Sequence, residues 1–302
     1  MSRILVTGGT VFVSKYIAQY FVKKGNEVYV LNRNHRPQVE GVKLIEADRH
    51  ELKETLKAFD FDAVIDVTAY SGKDVMDLLT GLGNFKEYVM ISSSAVYPET
   101  NVQPFLEDQQ LGENRFWGKY GTGKIAAEKL LIHKVPHAYI LRPPYLYGPM
   151  NNVYREAFVF DCAMNQRKFY IPREGEMKLQ FLYIEDLCKI IDNILEKKPE
   201  NHIFNVGNEE AISIKEWVKL CYKIVGRQLE VVPVKTGIEQ RNYFSFYDYE
   251  YRLDVSKQKQ LLDRTTDLEE GLRQSFCWYQ KNMDNGSISR KDYMLYIDSH
   301  LQ

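Results

Sequence analysis

Two residues four positions apart carry the clearest chemistry in this chain. Tyr120 and Lys124, in Tyr120-Gly121-Thr122-Gly123-Lys124, fall on one face of any helix that contains them. A free phenol has a pKa of about 10, so acid–base work near neutrality needs a shift of about 3 units, or roughly 4 kcal/mol. An ammonium about 4–5 Å away supplies about 3–4 kcal/mol at an effective dielectric of about 20. The pair is therefore expected to remove or return the proton of a hydroxyl on a reacting carbon. With 21 tyrosines in the chain, a Tyr-x-x-x-Lys match arises easily by chance, so its position matters more than the motif. Upstream lies Ile91-Ser92-Ser93-Ser94-Ala95-Val96-Tyr97, in which Ser93 ends an expected strand and can hydrogen-bond the reacting oxygen.

A second feature is Thr7-Gly8-Gly9-Thr10-Val11-Phe12-Val13-Ser14, between an expected strand at 3–6 and an expected helix at 13–24. Glycines there permit a tight turn and bring backbone N–H groups toward a pyrophosphate at a helix N-terminus. Gly25-Asn26 closes the helix, and a strand at 27–31 completes a strand–helix–strand unit.

The alternation continues. Strands are expected at 42–46, 63–67, 88–92 and 138–142, with helices at 51–59, 73–82 and 118–133. Near-continuous apolar strands between helices imply an α/β fold with a parallel sheet covered on both faces. Beyond Pro149 the pattern is less regular. Helices are expected at 156–165 and 184–197, strands at 202–206 and 229–234, and a last helix at 268–280. Ser213-Ile214-Lys215-Glu216 is a capping box opening a helix that Gly226 ends. The aromatic stretch 243–251 is expected to pack between two lobes.

Composition narrows the classes. Hydrophobic residues at 44% and charged residues at 27% describe an ordered globular chain. A formal charge of −1 gives no support for a nucleic-acid or membrane-surface partner. No apolar run approaches the length of a membrane span, and a cytoplasmic location is expected. Cys162, Cys188, Cys221 and Cys277 form no C-x-x-C pair and are expected to be buried free thiols, without zinc. No metal site is expected.

The order Ser93, Tyr120, Lys124 resembles the catalytic triad of the extended short-chain dehydrogenase/reductase superfamily. Other segments are similar to its NAD-dependent epimerase/dehydratase family. These are Arg142-Pro143-Pro144-Tyr145-Leu146-Tyr147-Gly148-Pro149, Asn205-Val206-Gly207 and Asp254-Val255-Ser256-Lys257. The turn resembles the T-G-x-x-G-x-x-G fingerprint, but only Gly8 remains; Val11 and Ser14 replace the other glycines. Reading T-G-G-T-x-F, it is most similar to an atypical subgroup that includes chloroplast stem-loop-binding relatives.

The resemblance implies a Rossmann-type doubly wound parallel sheet with a smaller C-terminal α/β substrate lobe. Residues 1–149 would form the dinucleotide-binding domain and 150–302 mainly the substrate lobe, with about 181–207 returning to the first. It implies NAD or NADP held by Thr7, Gly8, Gly9, Thr10, Val11, Phe12, Val13, Asn32, Arg33, Asp48, Thr68, Ala69, Tyr70, Ser92, Pro143 and Tyr145. Asn32 stands where NAD-preferring relatives carry an acid, and Arg33 can pair with a 2′-phosphate, which favours NADP. Ser93, Tyr120 and Lys124 would be catalytic, with the nicotinamide charge completing the fall in phenol pKa. Ser94, Tyr97 and Arg241 would meet substrate.

The implied activity is epimerase-type hydride transfer on a sugar nucleotide or similar carbinol. Ser94 and Ala95 occupy the positions where dehydratases carry an acid–base pair, which disfavours dehydration. A carbonyl reductase is the alternative. A non-catalytic cofactor-sensing or RNA-associated protein is the alternative of another class. A homodimer through the Tyr–Lys helix, by a face bearing Ile125 and Leu131, is a further expectation.

Overall fold

The computed structural model describes residues 1–302. Short runs rich in Val, Ile and Leu become buried strands because both of their faces are covered. The elements of the first half are β1 (Arg3–Thr7), α1 (Phe12–Lys23), β2 (Glu27–Asn32), β3 (Lys43–Glu46), β4 (Leu56–Asp66), α2 (Gly72–Gly81), β5 (Leu82–Ile91), α3 (Gly118–Lys134) and β6 (Tyr139–Arg142). The second half contains β7 (Tyr145–Tyr147), α4 (Glu156–Met164), β8 (Phe169–Pro172), β9 (Lys178–Leu179), β10 (Phe181–Tyr183), α5 (Ile184–Lys197) and β11 (Ile203–Asn205). It ends with β12 (Ile212–Ser213), α6 (Ile214–Val225), β13 (Val231–Val234), α7 (Leu268–Asn282) and α8 (Tyr293–His300).

Seven strands form one sheet in the order β11-β6-β5-β4-β1-β2-β3, and every pairing in it is parallel. This is a Rossmann-type α/β architecture. The chain runs outward from β1 to β3 and then returns to β4 on the other side of β1. The crevice at that reversal, outside the carboxyl ends of β1 and β4, is where open α/β sheets bind ligands. Leu5, Val64, Tyr88 and Ile140 bury one face against α2 and α3. Ile4, Val6, Ile65 and Val89 bury the other, continuous with α1, α5 and the C-terminal lobe. That lobe is held by three two-stranded ladders, β10-β7, β12-β9 and β13-β8.

Several elements differ from the sequence reading. The helix expected at 51–59 is absent. Leu52 and Leu56 are both buried at helical spacing, but a turn and then β4 bury them. Residues from Leu56 onward pair with β5 from Leu82, across a register irregularity between Leu56 and Asp60. That ladder outweighs helical periodicity because it satisfies the backbone and stacks Phe59 on Phe61. The helix α8 was not expected; its Tyr293 and Ile297 are buried, and Tyr293 stacks on Tyr154. Cys277 is exposed on α7 rather than buried, whereas the other three thiols are inside. Ile125 and Leu131 face the core, so they offer no dimer face on α3. No helix is long and apolar enough to cross a membrane.

Candidate active site

At the carboxyl ends of β1, β4, β5 and β6 lies a cleft of about 780 Å³, lined by 27 residues, none of them acidic. Three cations, Lys124, Arg155 and Arg241, line it. In a chain with 41 acidic residues, so complete an absence of carboxylates marks a site for an anionic ligand.

The glycine turn forms one wall. Gly8 and Gly9 both adopt φ of +89°, open to glycine and costly for other residues. A Cβ at Gly9 would stand 2.5 Å from a Val30 methyl, so the turn requires that glycine. The helix α1 begins beside the turn with no side-chain cap at Val11 and no acid in its first turn. Its leading N–H groups are therefore free for an anion. Thr10, Val11, Phe12 and Val13 line the cleft with Gly8. Thr7 does not. Its hydroxyl donates to Asp66 at 2.7 Å and accepts from the Val67 and Thr68 amides at 3.0 and 3.1 Å, tying β1 to β4. Asp66 is buried and lies below the usual carboxylate range. Burial opposes its charge, but the Arg49 guanidinium and the Tyr88 and Thr7 hydroxyls outweigh that.

Asn32, Arg33 and Asp48 lie outside the lining of the cleft. The Asn32 amide donates to the Gly8 carbonyl at 2.7 Å and to Gln38 at 3.0 Å, so it braces the turn. Arg33 is exposed, 3.8 Å from Asp48. Thr68 and Tyr70 line the cleft, whereas Ala69 is buried in the core beside α2.

The helix α3 places Tyr120 and Lys124 at the cleft. Gly121 and Gly123 let it lie flush against its supports: added Cβ atoms would stand 2.4 Å from the Ala95 carbonyl and 2.3 Å from the Tyr70 carbonyl. Tyr120 is 43% exposed and opens to the cleft. Lys124 is only 2% exposed, and its ammonium donates to the Ile91 carbonyl at 2.8 Å. It lies 5.0 Å from the Tyr70 ring centre and 5.9 Å from that of Tyr120.

This corrects the expected electrostatics. Crowding by protein pushes the Tyr120 phenol above its ordinary value, and Ser93 and Arg155 pull it back only in part. Burial also lowers the Lys124 ammonium to about 8, against the attraction of Asp66 and Glu128. In the protein alone Tyr120 is therefore a proton donor, and Lys124 does not make it a base.

The three serines diverge. The Ser92 hydroxyl donates to buried Glu128, which also takes both arms of Arg142 at 3.1 and 2.7 Å. The Ser93 hydroxyl faces the phenol and accepts from the Ala95 amide at 3.2 Å. The Ser94 hydroxyl donates to Tyr251 at 3.0 Å. Tyr97, expected to meet substrate, is 1% exposed and does not reach the cleft. Its hydroxyl donates to Asn205 at 2.7 Å and accepts from Arg142 at 2.9 Å. Pro143, Tyr145 and Arg241 do line the cleft. So do Trp117, Tyr247, Tyr251 and Arg155, which sequence reasoning did not single out. The aromatic stretch was the one available signal, for Tyr247 and Tyr251; nothing local marks Arg155.

The NAD-dependent epimerase/dehydratase family matches residues 4–78 and 74–207 of this chain. The chain belongs to that family. It is 27% identical over 309 residues to the chloroplast stem-loop binding protein of 41 kDa b of Arabidopsis thaliana, covering 94% of this chain and 79% of that protein. It is also 27% identical over 209 residues to the Arabidopsis thaliana trifunctional UDP-glucose 4,6-dehydratase/UDP-4-keto-6-deoxy-D-glucose 3,5-epimerase/UDP-4-keto-L-rhamnose-reductase RHM3. That match covers 66% of this chain and 30% of that protein. The fold is similar to UDP-glucuronic acid 4-epimerase from Bacillus cereus, solved with UDP-glucuronic acid and NAD. The TM-score is 0.72 at 21% identity, covering 92% of this chain and 99% of that one.

Proposed function

We propose that this protein is an NAD(P)-dependent oxidoreductase of the epimerase type, acting on a sugar nucleotide or a similar carbinol. The observation that carries the reading is Tyr120 and Lys124 on one face of α3, opposite Ser93, in an acid-free cleft that begins at the glycine turn. The residues suit a dinucleotide. An uncapped helix end, side-chain-free Gly8 and the absence of carboxylates accept phosphates, with Val11 lining the approach where the fingerprint has glycine. When bound, the nicotinamide supplies hydride transfer. Thr10, Val11, Phe12 and Val13 would line the pyrophosphate, Thr68 and Tyr70 the ribose, and Pro143 and Tyr145 the nicotinamide end. Arg33 would favour NADP.

Ser93 holds the reacting oxygen, and Tyr120 delivers or removes its proton. Lys124, fixed by the Ile91 carbonyl with its ammonium 5.9 Å from the Tyr120 ring centre, is placed to hold a ribose hydroxyl rather than to make the phenol a base on its own. Dehydration is disfavoured: Ser94, hydrogen-bonded to Tyr251, stands at one of the two positions of the dehydratase acid–base pair, and no acid lines the cleft. A carbonyl reductase is the second reading, and the protonated Tyr120 favours it, because carbonyl reduction starts from a proton donor. Cofactor retained through purification marks the epimerase; freely exchanging cofactor marks the reductase. The test of either is Tyr120→Phe. Turnover is expected to fall at least about 100-fold while cofactor affinity holds, and full retention of turnover would refute the assignment.

A further inference from the structure

The substrate end of the cleft carries more positive charge than the reaction needs. Arg155 and Arg241 both line it, and neither forms an ion pair. Glu156, the acid next to Arg155 in the chain, has both carboxylate oxygens taken by Asn151 at 2.9 and 3.0 Å. The Arg155 guanidinium lies over two aromatic rings, its carbon 4.9 Å from the centre of Tyr145 and 5.7 Å from that of Phe246. Its one protein hydrogen bond is a long one, 3.4 Å to the Leu146 carbonyl. A guanidinium held against aromatic rings with most of its donors free is prepared for a carboxylate or phosphate.

Tyr145 adds an independent sign. It is 6% exposed, lines the cleft, and its buried hydroxyl has no hydrogen-bond partner. A buried hydroxyl left unpaired is unfavourable, a penalty that a ligand oxygen relieves. The two arginines are not equivalent. Arg241 stacks on Tyr247, at 4.7 Å, and donates to the Ser245 carbonyl in the lobe. Arg155 is the one whose charge reaches Tyr120.

We propose that Arg155, with the Tyr145 hydroxyl, is a recognition site for an anionic substituent on the reacting part of the substrate, a carboxylate or a phosphate carried in addition to any nucleotide diphosphate. This rests on the reading of the cleft as a dinucleotide-dependent active site and narrows its substrate class to carbinols bearing their own negative charge near the reacting carbon. A neutral substrate would leave Arg155 and the Tyr145 hydroxyl desolvated without a partner.

UDP-glucose and UDP-glucuronic acid differ by one sugar carboxylate, and each is titrated calorimetrically into NAD-loaded protein; UDP-glucose and its 6-phosphate form the corresponding phosphate pair. Wild type is expected to bind at least one charged member about tenfold or more tightly than UDP-glucose, and the better pair identifies the anion. Arg155→Gln is expected to abolish that preference, bringing the charged member to the affinity of UDP-glucose in the same variant. Arg155→Lys, which keeps the charge and loses the fork, is expected to retain part of it. Equal affinity across the set, including no binding of any member, would overturn the proposal, as would a preference that survives Arg155→Gln in a variant with wild-type melting behaviour. Failure of the underlying reading looks different: the protein would not take up NAD or NADP at all.

Discussion

Replacing Lys124 with Met tests the buried ammonium through stability, without any substrate. Lys124 is 2% exposed, and burial lowers its pKa from 10.5 to about 8. Below pH 8 the folded protein bears the full cost of a buried charge. Between about 8 and 10.5 the unfolded chain binds a proton that the native chain has lost, so native stability contributed by this residue rises with pH. Integrating the two titrations from pH 7 to pH 10 gives a gain of about 2.5 kcal/mol in wild type relative to Lys124→Met. The Met variant fills the same channel and cannot titrate. It also strands the Ile91 carbonyl, at about 1–3 kcal/mol, but that loss does not depend on pH. Denaturant melts of both proteins at intervals from pH 7 to pH 10, with no cofactor present, give the difference directly. A wild-type-minus-variant difference that stays flat within about 0.5 kcal/mol would refute the buried, depressed ammonium.

Three other outcomes follow from individual contacts. Gly121→Ala places a Cβ 2.4 Å from the Ala95 carbonyl, so α3 must shift; a loss of about 1–3 kcal/mol is expected in melts, with slower turnover although Ser93, Tyr120 and Lys124 are intact. Glu128→Gln leaves Arg142 buried without its counter-charge and is expected to cost about 3–5 kcal/mol, measured by urea denaturation. Arg33→Ala is expected to weaken NADP about tenfold and leave NAD unchanged by calorimetry, since Arg33 is exposed and its nearest acid is 3.8 Å away.

Much of this was legible in the residues because periodicity reports burial. The strands β1, β2, β5 and β6 are apolar runs between helices, and α5 and α6 follow from their apolar faces and the Ser213 cap. The start of β4 was not legible, because Leu52 and Leu56 satisfy helical spacing while burying themselves by another route. Spacing placed Tyr120 and Lys124 on one face but did not give the separation of their charges. The Ile91 carbonyl draws the ammonium inward, 5.9 Å from the Tyr120 ring centre. Asn32 and Tyr97 show a related limit. A polar residue at a strand end or following turn reads the same whether it faces a ligand or, as here, ties a turn to a sheet. Arg155 has no motif; it matters because distant Tyr145 and Phe246 form its platform.

Hydride transfer in this cleft requires the glycine turn and the space beside α3 to receive a dinucleotide. Calorimetric titration of the purified protein with NAD and with NADP, after stripping any retained cofactor, tests this most directly. One molecule of at least one dinucleotide per chain is the predicted result, tightening when Val11→Gly clears the approach to α1. Absence of heat with both dinucleotides, in wild type and in Val11→Gly alike, would contradict it.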